Sequence, residues 1–345
     1  MMVSDIVETA RSLTGYGKGI LAMDESITTA NKRLAVAGIE PTKALRRDWR
    51  ELLITTPGLH EDISGVILAD ETIHQAAADG TPLPDVLVLG NIIPGIKVDT
   101  GAWPLALHKG ETVTDGLDGL RERLQHYASL GARFAKWRAV LTLGPSLPSA
   151  ASIDANAHAL ARFAALAQEC GLVPVVEPEL IMSGDLPLSR SEAATEAVLQ
   201  GVFAALHTQN VVLDAVVLKP NMVLPGNDWP GAVSPETIAT ATLDCLLRAV
   251  PAAVAGIAFL SGGQAGPLAC ERLNAINTSR SLDRSIPPWP LVFSFARALQ
   301  QPALAIWQGK AENCQAAQAA LRHRTRCSHA AIHGKYSDAM EVGSA

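Results

Sequence analysis

The sequence predicts a single (β/α)8 barrel, a TIM barrel, with extra terminal helices and a mobile C-terminal tail. Three observations predict it. Eight short apolar runs each end in polar or charged residues. Their polar ends recur about 35–46 residues apart, with one shorter interval of about 28, room enough for a helical crossover between parallel strands. Helical patterns fill the gaps.

The runs are 19–24 (GILAMD), 64–70 (SGVILAD), 93–99 (IPGIKVD), 132–140 (ARFAKWRAV), 173–180 (VPVVEPEL), 215–222 (AVVLKPNM), 256–263 (GIAFLSGG) and 290–297 (PLVFSFAR). Unbroken apolar character marks strands buried on both faces, as in parallel sheets. Helical periodicity covers 42–55, 116–131, 155–171, 191–209, 235–250 and 310–325. Gly131 and Gly171 stand where a helix C-cap belongs, just before the next strand. No GxGxxG follows the first strand, which counts against a doubly wound dinucleotide-binding sheet. No low-complexity linker divides the chain, so the barrel is assigned to residues 1–325. Periodicity fades from about Arg324, and 326–345 reads as a flexible tail ending in small residues.

Composition narrows the function. The 345 residues are 48% hydrophobic and only 18% charged, against a usual charged share of about 25%. The net charge of −6 comes without a basic stripe, which argues against nucleic-acid binding. The first residues, MMVSDIVETARSLTG, lack the basic and apolar regions of a signal peptide and the Arg- and Ser-rich character of a transit peptide. No apolar stretch is long enough to span a membrane. Five scattered cysteines form neither a disulfide framework nor a zinc spacing, as expected of a reducing cytoplasm. The histidines do not fall into HxH, HExxH or Cys/His groupings; His329 and His333 lie in the tail and read as solvated. No GxSxG elbow is present. No metal and no cofactor are therefore expected.

In a barrel of this kind the active site gathers at the C-terminal strand ends. Pooling those ends gives Asp24, Asp70, Lys97, Lys136 with Arg138, Glu177 with Glu179, Lys219, Ser261-Gly262-Gly263 and Arg297. Lys219 ends a run of four apolar residues. Taken alone it reads first as a strand-end lysine reaching into water. Buried, its ammonium form is disfavoured, and the neutral amine is a nucleophile able to form a Schiff base. Lys136 and Arg138 are two apart and so share one face, with Trp137 turned towards the helices. Glu177 and Glu179 repeat this on the next strand, so two cations should meet two carboxylates in the barrel mouth. Part of that set, Glu179 with Arg138, is expected to be a structural ion pair. The glycines at 262 and 263 allow backbone N–H groups to turn inward as an anion nest. Arg297 can grip the same anion.

These stretches form a recognisable set. GKGILAMDES (17–26), GIKVDTG (95–101), 116–140, VPVVEPE (173–179), LKPNMVLPG (218–226), FLSGGQ (259–264) and FSFARALQ (293–300) resemble, in order and to about residue 337, the class I fructose-bisphosphate aldolases. The resemblance implies a metal-independent enzyme that reversibly cleaves fructose 1,6-bisphosphate to dihydroxyacetone phosphate and glyceraldehyde 3-phosphate. Sedoheptulose 1,7-bisphosphate is left open as a second substrate. Lys219 is implied as the Schiff-base lysine and Glu177 as the proton shuttle, with Lys136, Glu179 and Asp24 as polar partners. Ser261, Gly262, Gly263 and Arg297 match the C1-phosphate site. Ser26, Arg33, Lys97 and Arg138 are similar to residues that hold the distal phosphate or sugar hydroxyls. Glu179 is expected to raise the working range of Glu177 by like-charge coupling, or to stay tied to an arginine. A cytoplasmic homotetramer is the family expectation. Relatives of the animal type end in a tyrosine that protonates the enamine; this chain ends Glu341-Val342-Gly343-Ser344-Ala345, and Tyr336 is its last tyrosine. Ala296 stands where many relatives have glycine. The competing readings are another Schiff-base barrel enzyme, such as a transaldolase, and a non-catalytic scaffold of the same fold.

Overall fold

The computed structural model describes residues 3–15, 17–282 and 286–341. Ten strands are present among them: β1 (Gly19–Met23), β2 (Ile63–Leu68), β3 (Ile93–Lys97), β4 (Gly101–Pro104), β5 (Thr112–Asp115), β6 (Phe134–Thr142), β7 (Val173–Ile181), β8 (Val217–Leu218), β9 (Gly256–Phe259) and β10 (Leu291–Phe295). Eight of them close into a parallel barrel in the order β1-β10-β9-β8-β7-β6-β3-β2. All eight apolar runs supply a barrel strand. The antiparallel pair β4–β5 is a separate hairpin that the sequence patterning does not announce.

Around the barrel run α1 (Val3–Thr14), α2 (Ile27–Val36), α3 (Lys43–Ile54), α4 (Asp70–Ile73), α5 (Leu83–Leu89), α6 (Leu120–Ser129) and α7 (Ala150–Glu169). They are followed by α8 (Leu188–Thr208), α9 (Pro235–Ala249), α10 (Gly266–Leu282), α11 (Arg297–Trp307) and α12 (Cys314–Ile332). Side-chain oxygens of Ser26, Thr42, Ser149 and Ser234 cap α2, α3, α7 and α9, each filling an orphan N–H of the first turn. Gly131 and Gly171 follow α6 and α7 at φ +99° and +74°, as their placement before a strand predicts.

The barrel floor is apolar and filled. Phe134 occupies it, and a Cβ on Gly95 would lie 2.2 Å from its ring; glycine is what lets that ring in. Helix α1 closes the floor from below: Thr14 donates to the Ala255 carbonyl at 3.2 Å, and Ser64 donates to the Leu13 carbonyl at 2.7 Å. The floor excludes water, so polar chemistry is confined to the opposite rim.

One assignment is corrected. Helix α12 continues through Ile332, with Arg324, Cys327, Ser328, Ala331 and Ile332 buried. Residues 326–332 therefore belong to a packed helix rather than a flexible tail, because small and apolar side chains recur on its inner face behind the charged run RHRTR. Tyr336 is also buried. His329 is half-buried, not solvated, with its ring 4.7 Å from that of His333. The final stretch of the expected tail, 342–345, lies outside the described residues.

Candidate active site

The C-terminal strand ends enclose a cavity of about 420 Å³. All thirteen side chains or glycines singled out as site residues line it. Asp70 does not. It opens α4, and its carboxylate accepts from the Tyr127 hydroxyl at 2.7 Å outside the mouth.

The centre is built by alternation on β6 and β7. Trp137 turns outward and stacks on Phe163 of α7, ring centroids 5.7 Å apart. Lys136 and Arg138 turn inward. Glu177 and Glu179 do the same on β7, which pairs in register with β6. Lys136 Nζ lies 2.6 Å from Asp24 Oδ2 and 2.9 Å from Glu177 Oε2. Lys219 Nζ, just past β8, lies 3.0 Å from Glu177 Oε1. Glu177 thus bridges two lysines. Both ammonium groups are close enough to share its charge.

The electrostatics follow. Burial alone would push Asp24 up, yet the ammonium groups of Lys136, Lys219 and Lys97 hold its carboxyl well below the usual range. Burial opposes charge on Lys136, but Asp24 and Glu177 hold its ammonium above the ordinary lysine range. Glu177 is pushed up by burial and pulled down further by Lys136 and Lys219, so it rests below the ordinary glutamate range. Of the two alternatives for Glu179, like-charge coupling or a tie to an arginine, the structure has the tie. Glu179 accepts from Arg138 Nε at 2.5 Å, the structural pair the alternation suggested, and that commits its charge elsewhere.

The rim is more open. Ser26 caps α2, and Thr29 and Arg33 follow it on the same helix face. Arg33 pairs with Glu25, and Lys97 pairs with Asp99 at 2.7 Å. On the opposite side, Gly262 and Gly263 adopt φ +56° and +85°, the left-handed region that glycine alone enters freely. Arg297, at the start of α11, donates to the Gly263 carbonyl at 2.9 Å. A loop of this kind beside a helix N-terminus is suited to an anion. Arg33, Lys97 and Arg138 on one side and Arg297 on the other flank the buried Lys219.

Sequence reasoning missed a supporting layer. Glu25 is held by Arg33, by Arg50 (3.2 Å) and by Gln300 (3.0 Å). Arg50 is buried on α3 beside Trp49 and Leu53. The signal was there: an arginine on the apolar face of an amphipathic helix needs a partner. Ser294, inward on β10, also lines the cavity, with a buried hydroxyl that has no partner among the described residues.

A closed parallel barrel whose mouth pairs buried lysines with carboxylates beneath a cationic rim is that of a (β/α)8-barrel enzyme. The comparisons carry this to a family. Residues 5–345 match the family described as "Glycolytic: Fructose-bisphosphate aldolase class-I". The chain is 50% identical over 337 residues to "Probable fructose-bisphosphate aldolase class 1" of Xylella fastidiosa, covering 97% of this chain and 99% of that one. It is 48% identical to "Fructose-bisphosphate aldolase 5, cytosolic" of Arabidopsis thaliana, covering 99% and 94%. A solved structure of fructose-bisphosphate aldolase from Plasmodium falciparum, in complex with TRAP and a small-molecule inhibitor, superposes with TM-score 0.94 at 41% identity, covering 97% and 96%. The chain belongs to the class I fructose-bisphosphate aldolase family and is a lyase.

Proposed function

We propose that this protein reversibly cleaves fructose 1,6-bisphosphate to dihydroxyacetone phosphate and glyceraldehyde 3-phosphate through a Schiff base on Lys219. The observation that carries this reading is Glu177, buried and bridging Lys136 and Lys219 at 2.9 and 3.0 Å. Transfer of one proton from Lys219 to Glu177 Oε1 yields the neutral amine and a carboxylic acid in one step. The amine adds to the C2 carbonyl. Glu177 returns the proton to the carbinolamine oxygen, water departs, and a protonated imine remains. That imine is an electron sink. When the C3–C4 bond breaks, its electron pair enters the enamine, and the C4 hydroxyl proton passes to Glu177. Asp24, fixed by Lys136, orients the C4 hydroxyl. The aldehyde product leaves, the enamine is protonated at C3, and hydrolysis frees Lys219.

Tyr336 has no part in this scheme. It lies outside the cavity, and burial, with its hydrogen bond to Glu341, holds its phenol above the ordinary range. The proton that Glu177 acquires at cleavage is available for return to the enamine. Ser261, Gly262, Gly263 and Arg297 hold the C1 phosphate. Ser26, Arg33, Lys97 and Arg138 hold the distal phosphate and hydroxyls. For the last group, Arg33 and Lys97 exchange Glu25 and Asp99 for the ligand. We place the enzyme in the cytoplasm, on its relatives named cytosolic and its five free thiols, and expect a homotetramer from the family resemblance.

Borohydride reduction in the presence of fructose 1,6-bisphosphate, followed by peptide mass spectrometry, tests the reading. A reduced adduct on Lys219, absent from Lys219→Ala, is expected. An adduct on another lysine, or full turnover without any adduct, overturns it.

A further inference from the structure

Two residues that do not line the catalytic cavity, Gln264 and Arg272, hold the glycine loop from behind. Residues 261–264 form a tight turn. The Gln264 N–H donates to the Ser261 carbonyl at 3.0 Å. Gly262 and Gly263, at the centre of the turn, both have positive φ, the pattern of a type I′ turn. The Gln264 side chain closes the turn a second time, since its Nε2 donates to the same carbonyl at 2.8 Å. Its Oε1 accepts at 2.7 Å from Nη1 of Arg272, which lies on α10. Arginine only donates, and an amide oxygen only accepts. Arg272 therefore fixes which way the Gln264 amide faces, and the amide nitrogen is aimed at Ser261.

This matters because carbonyl oxygens repel an anion. Those of Ser261 and Gly263 are both taken by donors, from Gln264 and from Arg297. The N–H groups of Gly262 and Gly263 donate to no carbonyl among the described residues, which leaves them free for an anion. The loop is also tied to the nucleophile: the Leu260 N–H donates at 3.0 Å to the carbonyl of Pro220, next to Lys219. Arg272 is not comfortable in its place. Burial pushes its guanidinium below the ordinary arginine range, which Glu271 offsets only in part. Its buried Nε has no partner among the described residues. An unsatisfied group of this kind calls for a reason, and the bond to Gln264 supplies one.

We infer that Gln264 and Arg272 are positioning residues for the C1-phosphate site: they hold the 261–264 turn closed and so set affinity at that end of the substrate alone. The inference rests on the proposed function, which puts the C1 phosphate at this loop.

Condensation kinetics on the full chain test it. Dihydroxyacetone phosphate carries the C1 phosphate, and glyceraldehyde 3-phosphate carries the distal one. Arg272→Met removes the donor that orients Gln264. Gln264→Met keeps the arginine's charge and removes both side-chain bonds. Each should raise KM for dihydroxyacetone phosphate about three- to tenfold, the loss of roughly one hydrogen bond, and leave KM for glyceraldehyde 3-phosphate within about twofold. The double variant should be no worse than either single one, because the two residues act as a unit. The borohydride adduct on Lys219 at saturating dihydroxyacetone phosphate should persist in all three. Should Arg272→Met fail to fold, Gln264→Met decides alone, since Gln264 is only partly buried. With the adduct intact, two outcomes overturn this inference and spare the proposed function. One is a KM for dihydroxyacetone phosphate that Gln264→Met leaves unchanged; the other is an equal rise for both substrates. A parent that forms no adduct overturns the proposed function, and this inference with it.

Discussion

The centre of the barrel mouth and its rim are built on opposite plans. At the centre Lys136, Glu177 and Lys219 are each 3% exposed, Asp24 is 8%, and every charge touches an opposite one. At the rim Arg33 and Arg138 keep side-chain exposures of 25% and 39%, and Arg297 is exposed. Rim cations lean on groups they can release: a carboxylate for Arg33 and Lys97, a backbone carbonyl for Arg297. The centre holds its groups fixed before substrate arrives, which serves the chemical step. On the proposed function, the rim gives up its partners for phosphate, which serves binding. Changes at the centre should therefore appear in kcat, and changes at the rim in KM.

The largest effect that would sharpen this contrast is Glu177→Gln. It keeps shape and removes the proton carrier, so kcat should fall about 10²–10⁴-fold while KM moves little. Steady-state cleavage assays read both. A KM effect with kcat intact would break the comparison.

Lys136→Met probes the field at the centre. In the folded protein Glu177 rests below the ordinary glutamate value of about 4.3. Its carboxylate is thus present at neutral pH and is lost only as pH falls through that depressed value. Removing Lys136 leaves burial and the Asp24 charge, both of which push Glu177 up, opposed mainly by Lys219. The acid limb of kcat/KM should move towards neutrality. An unmoved limb would mean that another group governs it.

At the rim, Arg297→Ala removes a charged grip worth about 1.5–3 kcal/mol. KM should rise about 10–100-fold, with kcat within a few-fold of the parent. A collapse of kcat with unchanged KM would place Arg297 with the centre after all.

The same contrast explains what was legible. Both Lys136–Arg138 and Glu177–Glu179 follow from period-two alternation, a local rule, and the strand-end lysine from a local apolar run. Glu25 was missed because its partners Arg50 and Gln300 are 25 and 275 positions away. The hairpin β4–β5 was missed because its short strands carry partly exposed residues and no clean alternation. The end of α12 was misread as a tail because the charged run RHRTR hides its buried face. Arg324 is buried there, and its partners Glu341 and Cys270 come from outside the helix. Burial of a charge can be read only once its partner is known, and that partner is rarely near in sequence.

That last point gives the change with the smallest expected effect on turnover. Truncation after Asp338 removes Glu341, which does not line the cavity. Cleavage should stay within a few-fold of the parent. Stability should not be spared. Arg324 would keep only its bond to the Cys270 sulfur, and its Nε already has no partner among the described residues. A buried guanidinium left this way costs about 1–3 kcal/mol, readable as a lower urea midpoint at an unchanged slope. Glu341→Gln, which keeps one acceptor oxygen for Arg324, should lose less than the truncation. A severe loss of turnover with the urea midpoint unmoved would reverse the assignment and put the enamine's proton donor at the chain end.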